Sequence, residues 1–439
     1  MRASRWIGLS VGLLILAALV AAYSKPAPPG LCVLFNGEQD GYLDPCGCTK
    51  PMIGGVSRLG GYVAVSGRRS ALLLLENGDV VDGVGRQDQM KAETLFEMWN
   101  ALHYDAFCPG EDDFKLGLPF LNALQVRFQG AFVCANIRKT TGRPLYGECV
   151  VVQRSAGANA PPALVVGLVS EQFRDAVVGS GPGVVVEPPE VALGRLRQRI
   201  EGFHGVRVLL FHGPLDEARD LAESFPWFQL VIYAHHGDGP TVMEHVGNTV
   251  LACSGQDGKF IGRVDFGPAQ QGIRGAGYTS LGPEIAQDAR ILAIKRAYLD
   301  RVSAEDLLGK APRMALPVGD GYVGAAACKK CHAGAFRTWA ASRHSHALAT
   351  LATAKEDVDP ECVICHAVGM DRAGGFRGEL VTPGLAGVQC ENCHGPGLRH
   401  SRELGAAKMK SDDMVCLECH TPLQSPHFSF ATHWLLIRH

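Results

Sequence analysis

Four short segments near the C-terminal end of the chain have residue types and spacing that can do chemistry. They are Cys328-Lys-Lys-Cys331-His332, Cys362-Val-Ile-Cys365-His366, Cys390-Glu-Asn-Cys393-His394 and Cys416-Leu-Glu-Cys419-His420. Each reads C-x-x-C-H, the spacing that attaches a c-type haem. Two cysteines three apart can form thioethers to the two vinyl groups of one porphyrin, and the histidine that follows then lies beneath the iron as an axial ligand. The same letters could make a pair of zinc knuckles or two disulfides. Four repeats between Cys328 and His420 weigh heavily for haem, so four covalent haems c are expected.

The chain holds 16 histidines; ten lie beyond residue 330, and six of these stand outside the four motifs: His344, His346, His400, His427, His433 and His439. A surplus of histidine beside haem sites suggests distal axial ligands. Met370, Met409 and Met414 offer sulfur as an alternative and are better read as packing residues. The chain also holds 15 cysteines; outside the motifs stand Cys32, Cys46, Cys48, Cys108, Cys134, Cys149 and Cys253. Cys108 and Cys134 fall at or near the ends of predicted strands, and a disulfide between them is expected in an oxidising compartment. Pro45-Cys46-Gly-Cys48 is too tight for an unstrained disulfide between its own cysteines. Those two thiols are left for a soft metal or for distant cysteines.

A second group of polar residues lies earlier. Asn77-Gly78-Asp79, Pro109-Gly110-Glu111-Asp112-Asp113, His212-Gly213 and His235-His236-Gly237 each follow a short apolar run. Residues 31–35, 71–75, 104–108, 131–136, 163–168, 207–211 and 230–234 read as strands, and 94–102, 190–200 and 216–225 as helices. Residues 249–253 and 260–266 read as a closing antiparallel pair. This alternation gives an α/β domain whose helices cover a mixed sheet. Sites in such sheets lie at the carboxyl ends of the strands, which is where the four polar clusters fall.

The elements divide the chain. Residues 1–28 carry Arg2 and Arg5, an apolar run over 7–22 and then Pro26, Pro28 and Pro29. They read as a signal peptide or an N-terminal anchor through residues 6–22. Residues 29–268 are the α/β domain, 269–318 a linker with one helix near 286–308, and 319–439 a haem domain. The last is too small to enclose four porphyrins separately, so the haems must supply much of its interior. Its motifs should fall near the starts of short helices. Formal net charge is -2 and hydrophobic content 46%, which gives no sign of a nucleic-acid partner. Covalent haem and the leader both expect an exported, periplasmic protein, with redox proteins as partners.

Residues from Tyr322 onward resemble the cytochrome c-554/c-552 family of tetrahaem electron carriers. The resemblance rests on Trp339-Ala-Ala-Ser342-Arg-His344, on Cys390-Glu-Asn-Cys393-His394-Gly-Pro-Gly-Leu-Arg-His400 and on Trp434-Leu-Leu-Ile437-Arg-His439. It implies that His332, His366, His394 and His420 are proximal ligands and that His344, His400 and His439 are distal ligands, each to a haem held by another motif. It also implies one five-coordinate haem. The α/β segment resembles the calcineurin-like metallophosphoesterases of the 5′-nucleotidase kind, in degenerate form. That family binds two metals through D-x-H, G-D, G-N-H-E, a lone histidine and G-H-x-H. Here Glu38-Gln39-Asp40-Gly41, Gly78-Asp79, Gly110-Glu111-Asp112-Asp113, His212 and Ala234-His235-His236-Gly237 stand in those places. Asp79, His212 and His235 survive as a vestigial metal site for one divalent metal, with Glu38, Asp40 and Glu111 as further oxygen donors.

The chain therefore reads as multidomain: an α/β, metallophosphoesterase-like mixed sheet with helices, then a small, mostly α multihaem cytochrome c domain. The leading function is electron transfer through four haems, carried on an inactive phosphoesterase-like domain. Two alternatives stand beside it. One is oxidoreduction of a small nitrogen species at the five-coordinate haem; the other is a bifunctional phosphohydrolase–cytochrome.

Overall fold

The structure is a computed structural model describing residues 30–46, 51–67, 71–154, 160–237, 239–240, 242–268, 272–403, 413–422 and 424–439. The leader at 1–28, Cys48 and Met409 lie outside the described residues, as does the side chain of Cys46.

Two six-stranded sheets form the N-terminal part. The strands are β1 (Leu31–Asn36), β2 (Ala71–Glu76), β3 (Ala106–Phe107), β4 (Ala131–Phe132), β5 (Cys149–Val152), β6 (Ala163–Val169), β7 (Val206–His212), β8 (Leu230–Ile232), β9 (Glu244–Val246), β10 (Thr249–Ala252), β11 (Phe260–Phe266) and β12 (Ile273–Ser280). The first sheet runs β12-β11-β1-β2-β3-β4 and the second β9-β10-β8-β7-β6-β5. Their centres are parallel, β1 with β2 and β7 with β6 and β8, while β5, β9 and the β11–β12 pair are antiparallel.

Side-chain alternation shows how the layers stack. Along β6, Ala163, Val165 and Val169 join the large core shared with the first sheet, while Leu164, Val166 and Leu168 join a second core. Period-two alternation places these sets on opposite faces. Helices α1 (Val56–Ser66), α2 (Arg86–Leu102) and α6 (Ala289–Ala304) contribute to the first core. Short α3 (Glu111–Lys115) follows β3. Helices α4 (Pro189–Glu201) and α5 (Leu215–Ser224) cover the outer face of the second sheet. The result is a four-layer helix–sheet–sheet–helix stack.

Several expectations need correction. The strand–helix alternation predicts one mixed sheet, and two are present, because strands with apolar residues on both faces can bury each face against a different layer. Residues 249–252 and 260–266 do not pair with each other; β10 lies beside β8 and β9, and β11 beside β1 and β12. Strand β12 lies in the stretch read as linker, so the first sheet continues past residue 268. Residues 104–108 and 131–136 shorten to two-residue strands. Cys108 and Cys134 are neighbours but free buried thiols. Cys108 Sγ donates to the Leu168 carbonyl (3.5 Å) and Cys134 Sγ to Asn136 Oδ1 (3.4 Å).

The C-terminal part is helical, with α7 (Ala333–Ala340), α8 (Ala347–Ala354), α9 (Pro360–His366) and α10 (Cys390–His394) among its short helices. Among the described residues no helix is long and apolar enough to cross a membrane.

Candidate haem cluster and metal centre

The four C-x-x-C-H segments sit on turns of short helix. Cys328 ends the helix Ala325–Cys328, and His332 caps the start of α7. The second motif closes α9, the third makes up α10, and Cys416 lies in the 3-10 turn Asp413–Glu418. Only the third opens its helix, since helices of four to seven residues leave little room for a motif to choose its end.

Two imidazoles on opposite faces of one metal ion, each bonded at about 2 Å, hold their ring centres about 6 Å apart. Three histidine pairs have that spacing. His332 and His400 are 6.1 Å apart with planes at 27°. His344 and His420 are 6.2 Å apart at 50°. His394 and His439 are 6.0 Å apart at 65°. Each pair joins one motif histidine to one distal candidate. His366 has no second imidazole in ring contact among the described residues; its Nδ1 donates to the Ala347 carbonyl (2.8 Å), which leaves Nε2 as the ligating atom. His346 and His427 are exposed. His433 turns Nδ1 to the Ser429 carbonyl (2.9 Å). Met370 is buried in the small apolar cluster beneath the second motif, as a packing residue should be, and Met414 is exposed.

Burial lowers the pKa of His344, His394 and His420, which favours the neutral imidazole that a metal requires. Polar contacts hold these rings in place. Trp339 Nε1 donates to the Val388 carbonyl (2.7 Å), and Val388 N donates to the His344 carbonyl (3.0 Å). His344 is thereby tied to the segment that enters the third motif. Around that motif Glu391 accepts from Val323 N, Gly324 N and Gly397 N. Gln389 accepts from Ala325 N and donates to the Gly384 and Ala386 carbonyls. Asn392 donates to the Ala367 carbonyl (3.0 Å). In the C-x-x-C-H pattern Glu391 and Asn392 are the free letters; in the structure they bind the first and second motifs to the third. Ile364, Leu417, Trp434 and Leu436 point outward around the motifs. Paired imidazoles ringed by apolar side chains fit porphyrins packed against one another.

The second site lies where the carboxyl ends of both sheets meet. Asp79 follows β2, Glu111 follows β3, His212 ends β7 and His235 follows β8. One ligand atom from each converges within 4.8 Å. His212 Nε2 is 2.9 Å from Glu111 Oε2 and 3.3 Å from Asp79 Oδ2. His235 Nε2 is 3.0 Å from His212 Nε2 and 3.3 Å from Glu111 Oε2. His212 Nδ1 donates to the Asn77 carbonyl (2.6 Å), which turns Nε2 into the cluster. Asn77 Nδ2 in turn donates to the carbonyls of Phe211 and Ile232, joining three strand ends. Buried Asp113 accepts from Gly110 N, Asp79 N and Val80 N.

Close approach explains the glycines. A Cβ on Gly110 would stand 2.2 Å from Asp79 Oδ1 and 2.5 Å from His212 Nε2. Backbone strain gathers at the same place. Glu38, Asp40, Asp79 and His235 all have φ between 50° and 59°, a region non-glycine residues seldom adopt. Such strain is characteristic of functional sites.

Burial alone would lower the two imidazoles, but Asp79 and Glu111 more than reverse this at His212, and Glu111 and Glu38 do so at His235, so both titrate above their usual range. Burial alone would raise Glu111, and the two histidines reverse that as well, holding it low. Burial raises Glu38, and burial with the neighbouring Asp79 raises Asp40 to about 8.

Of the expected residues, Asp79, His212 and His235 meet, and Glu111 joins them as a full fourth donor. Glu38 instead accepts from His235 N (3.1 Å), and Asp40 stands outside the cluster of four donors. Gly237 falls where the resemblance expects a second histidine. The Phe173 ring lies over His235, with centres 4.8 Å apart. No sequence signal points to Phe173, because its place over the site comes from the turn after β6.

Comparison with known proteins agrees with both halves. Residues 327–395 match the family described as cytochrome c554 and c-prime, a span that takes in the first three motifs. Cytochrome c-554 of Nitrosomonas europaea is 34% identical over 91 residues, covering 17% of this chain and 39% of that protein. Solved structures similar in fold include the sulfate thiohydrolase SoxB of Thermus thermophilus (TM-score 0.55, 18% identity, 64% of this chain and 62% of that one). A 5′-nucleotidase precursor, also of Thermus thermophilus, gives a TM-score of 0.55 at 20% identity, covering 67% of this chain and 61% of that one. The calcineurin-like phosphoesterase YfkN of Bacillus subtilis gives 0.52 at 17% identity, covering 62% of this chain and 97% of that one. The N-terminal part thus has a mixed α/β phosphoesterase-like fold, and residues 327–395 of the helical C-terminal region are similar to the cytochrome c554 family.

Proposed function

We propose that this chain is an exported tetrahaem electron-transfer protein whose α/β domain is a phosphoesterase scaffold without hydrolytic activity. The observation that carries the reading is the set of three histidine pairs 6.0 to 6.2 Å apart. Bound at the four motifs, c-type haem supplies reversible one-electron chemistry. His332 with His400, His420 with His344, and His394 with His439 would each hold one haem iron between two imidazoles. His366 would hold the fourth, with no opposite imidazole among the described residues. Donor and acceptor are redox proteins.

The α/β site suits one divalent cation rather than two. Two imidazoles and two carboxylates from Asp79, Glu111, His212 and His235 form a complete set for one ion. Asp40 stands outside that set, and a second ion would lack the imidazole donor where Gly237 stands. The Phe173 ring crowds the same site, 4.8 Å from His235 and 6.0 Å from His212 between ring centres. Export rests on the leader at 1–28 and on the attachment of haem c outside the cytoplasm.

A second reading has one observation in its favour. His366 lacks an opposite imidazole among the described residues, so the iron it binds could take a small ligand. EPR and optical spectra of the haem-loaded protein test both readings. Three low-spin bis-histidine signals with one high-spin signal are expected. Four low-spin signals would remove the small-molecule reading, and fewer than three bis-histidine signals would refute the pairing.

A further inference from the structure

The α/β domain and the second haem motif are joined by a dense set of polar contacts. Asp359 caps the N-terminus of α9, the helix that carries Cys362, Cys365 and His366, by accepting from Glu361 N (3.0 Å). The same carboxylate accepts from Gln87 Nε2 (2.6 Å) on α2 and from Tyr298 OH (3.1 Å) on α6. Asp359 is only 6% exposed. Glu361, the residue before Cys362, pairs with Lys91 of α2, itself 9% exposed. Lys295 of α6 bridges Glu356 (2.7 Å) and Asp44. Val358 packs into the main α/β core. The contacts concentrate on residues 356–361, directly before the motif whose histidine has no opposite imidazole among the described residues.

We propose that Gln87, Lys91 and Tyr298 are positioning residues for the haem held by Cys362, Cys365 and His366, so that the α/β domain sets that haem's orientation and reduction potential. The inference rests on the four-haem reading above. Through the Asp359 cap, α2 and α6 fix the direction of the helix that presents both thiols and the imidazole. Charge acts alongside geometry. A cation beside an iron favours the reduced state and an anion the oxidised state; Lys91 is buried, which leaves little solvent to screen its charge, while Glu361 is exposed and acts more weakly. Lys91 and Glu361 flank the Cys362 attachment with opposite signs.

Spectroelectrochemical titration of the full haem-loaded chain, with the high-spin signal followed separately, tests this. Lys91→Met should lower the midpoint of that haem, because it removes a cation and bares Glu361. Glu361→Gln should raise it. Lys91→Arg should restore the wild-type value. The three low-spin midpoints should stay in place. Tyr298→Phe adds no charge and should change the rate of carbon monoxide binding at the high-spin haem. Shifts of the same sign in Lys91→Met and Glu361→Gln, shifts spread over all four haems, or no shift at all would each overturn the proposal. A wild-type protein with no high-spin signal would instead overturn the reading beneath it.

Discussion

The imidazole of His439 faces that of His394 with ring centres 6.0 Å apart. His439 Nδ1 donates to the Ile437 carbonyl (3.1 Å), which leaves Nε2 as the ligating atom. Replacing His439 with alanine should leave His394 as a lone axial ligand. We expect one low-spin EPR signal to be replaced by a second high-spin one, with the other two pairs unchanged. A spectrum identical to wild type would show that the pair shares no iron.

Glu391 accepts three backbone N–H groups from the loops around the first and third motifs. Charged acceptors contribute about 1.5–3 kcal/mol per hydrogen bond, and a stranded buried donor costs about as much. Glu391→Ala should therefore destabilise the haem region by about 3–5 kcal/mol, read as a lower midpoint in guanidinium. Glu391→Gln should lose less, because an amide oxygen can still accept.

Trp339 Nε1 ties α7 to Val388, and Val388 N holds the His344 carbonyl. Trp339→Phe keeps most of the apolar ring and removes the donor. The expected loss is about 1 kcal/mol. The sharper readout is spectroscopic, a broadened low-spin signal from the His344–His420 pair as His344 gains freedom.

The cluster of Asp79, Glu111, His212 and His235 should bind one divalent cation per chain, and His212→Ala should abolish it, as read by metal analysis of the purified protein. A stoichiometry of two would revive a dinuclear centre. Affinity should depend on pH, with a sign fixed by the raised imidazoles. In the metal-free protein His212 and His235 add stability that is complete below their ordinary value of 6.5 and lost as pH rises through the raised values. Glu111 adds stability present above 4.5 and lost as pH falls through its lowered value. A cation must displace the imidazole protons. Its affinity should therefore climb with pH above 6.5, with proton release seen by calorimetry in buffers of different ionisation enthalpy.

Hydrolysis of phosphate esters should be absent even in the metal-loaded protein. Phe173→Ala should open the site without restoring turnover, since Asp40 and Gly237 still replace a histidine each. Enzyme-like hydrolysis of a nucleotide by the wild type would sink this reading.

Much of the site was legible because its chemistry is local. C-x-x-C-H is fixed by the reach of two thiols and an imidazole around one porphyrin, so residues close in sequence carry it. Asp79, His212 and His235 were legible because they directly follow or end apolar strands. Other features were hidden because they depend on distant partners. Which distal histidine meets which motif, the rise of Glu111 to a full donor, and the work of Glu391 all join residues far apart in the chain. The pairing expected between residues 249–253 and 260–266 failed for the same reason. Alternation marks a strand but does not name its neighbour, and each of these strands found its neighbours in a different sheet.

By itself the sequence pointed to the haem chemistry and the α/β character of the first part, since these follow from spacing and from the period of apolar residues; the three distal histidines were expected only from the family resemblance. Only the tertiary structure decided the matches: His332 with His400, His344 with His420, His394 with His439, and His366 with none among the described residues. It alone brought Glu111 to His212 and set Asp359 between Gln87 and Tyr298. The reason is physical. Bonding geometry within a few residues is set by the covalent chain, whereas the meeting of distant side chains is set by how whole layers pack, and packing is a property of the folded molecule.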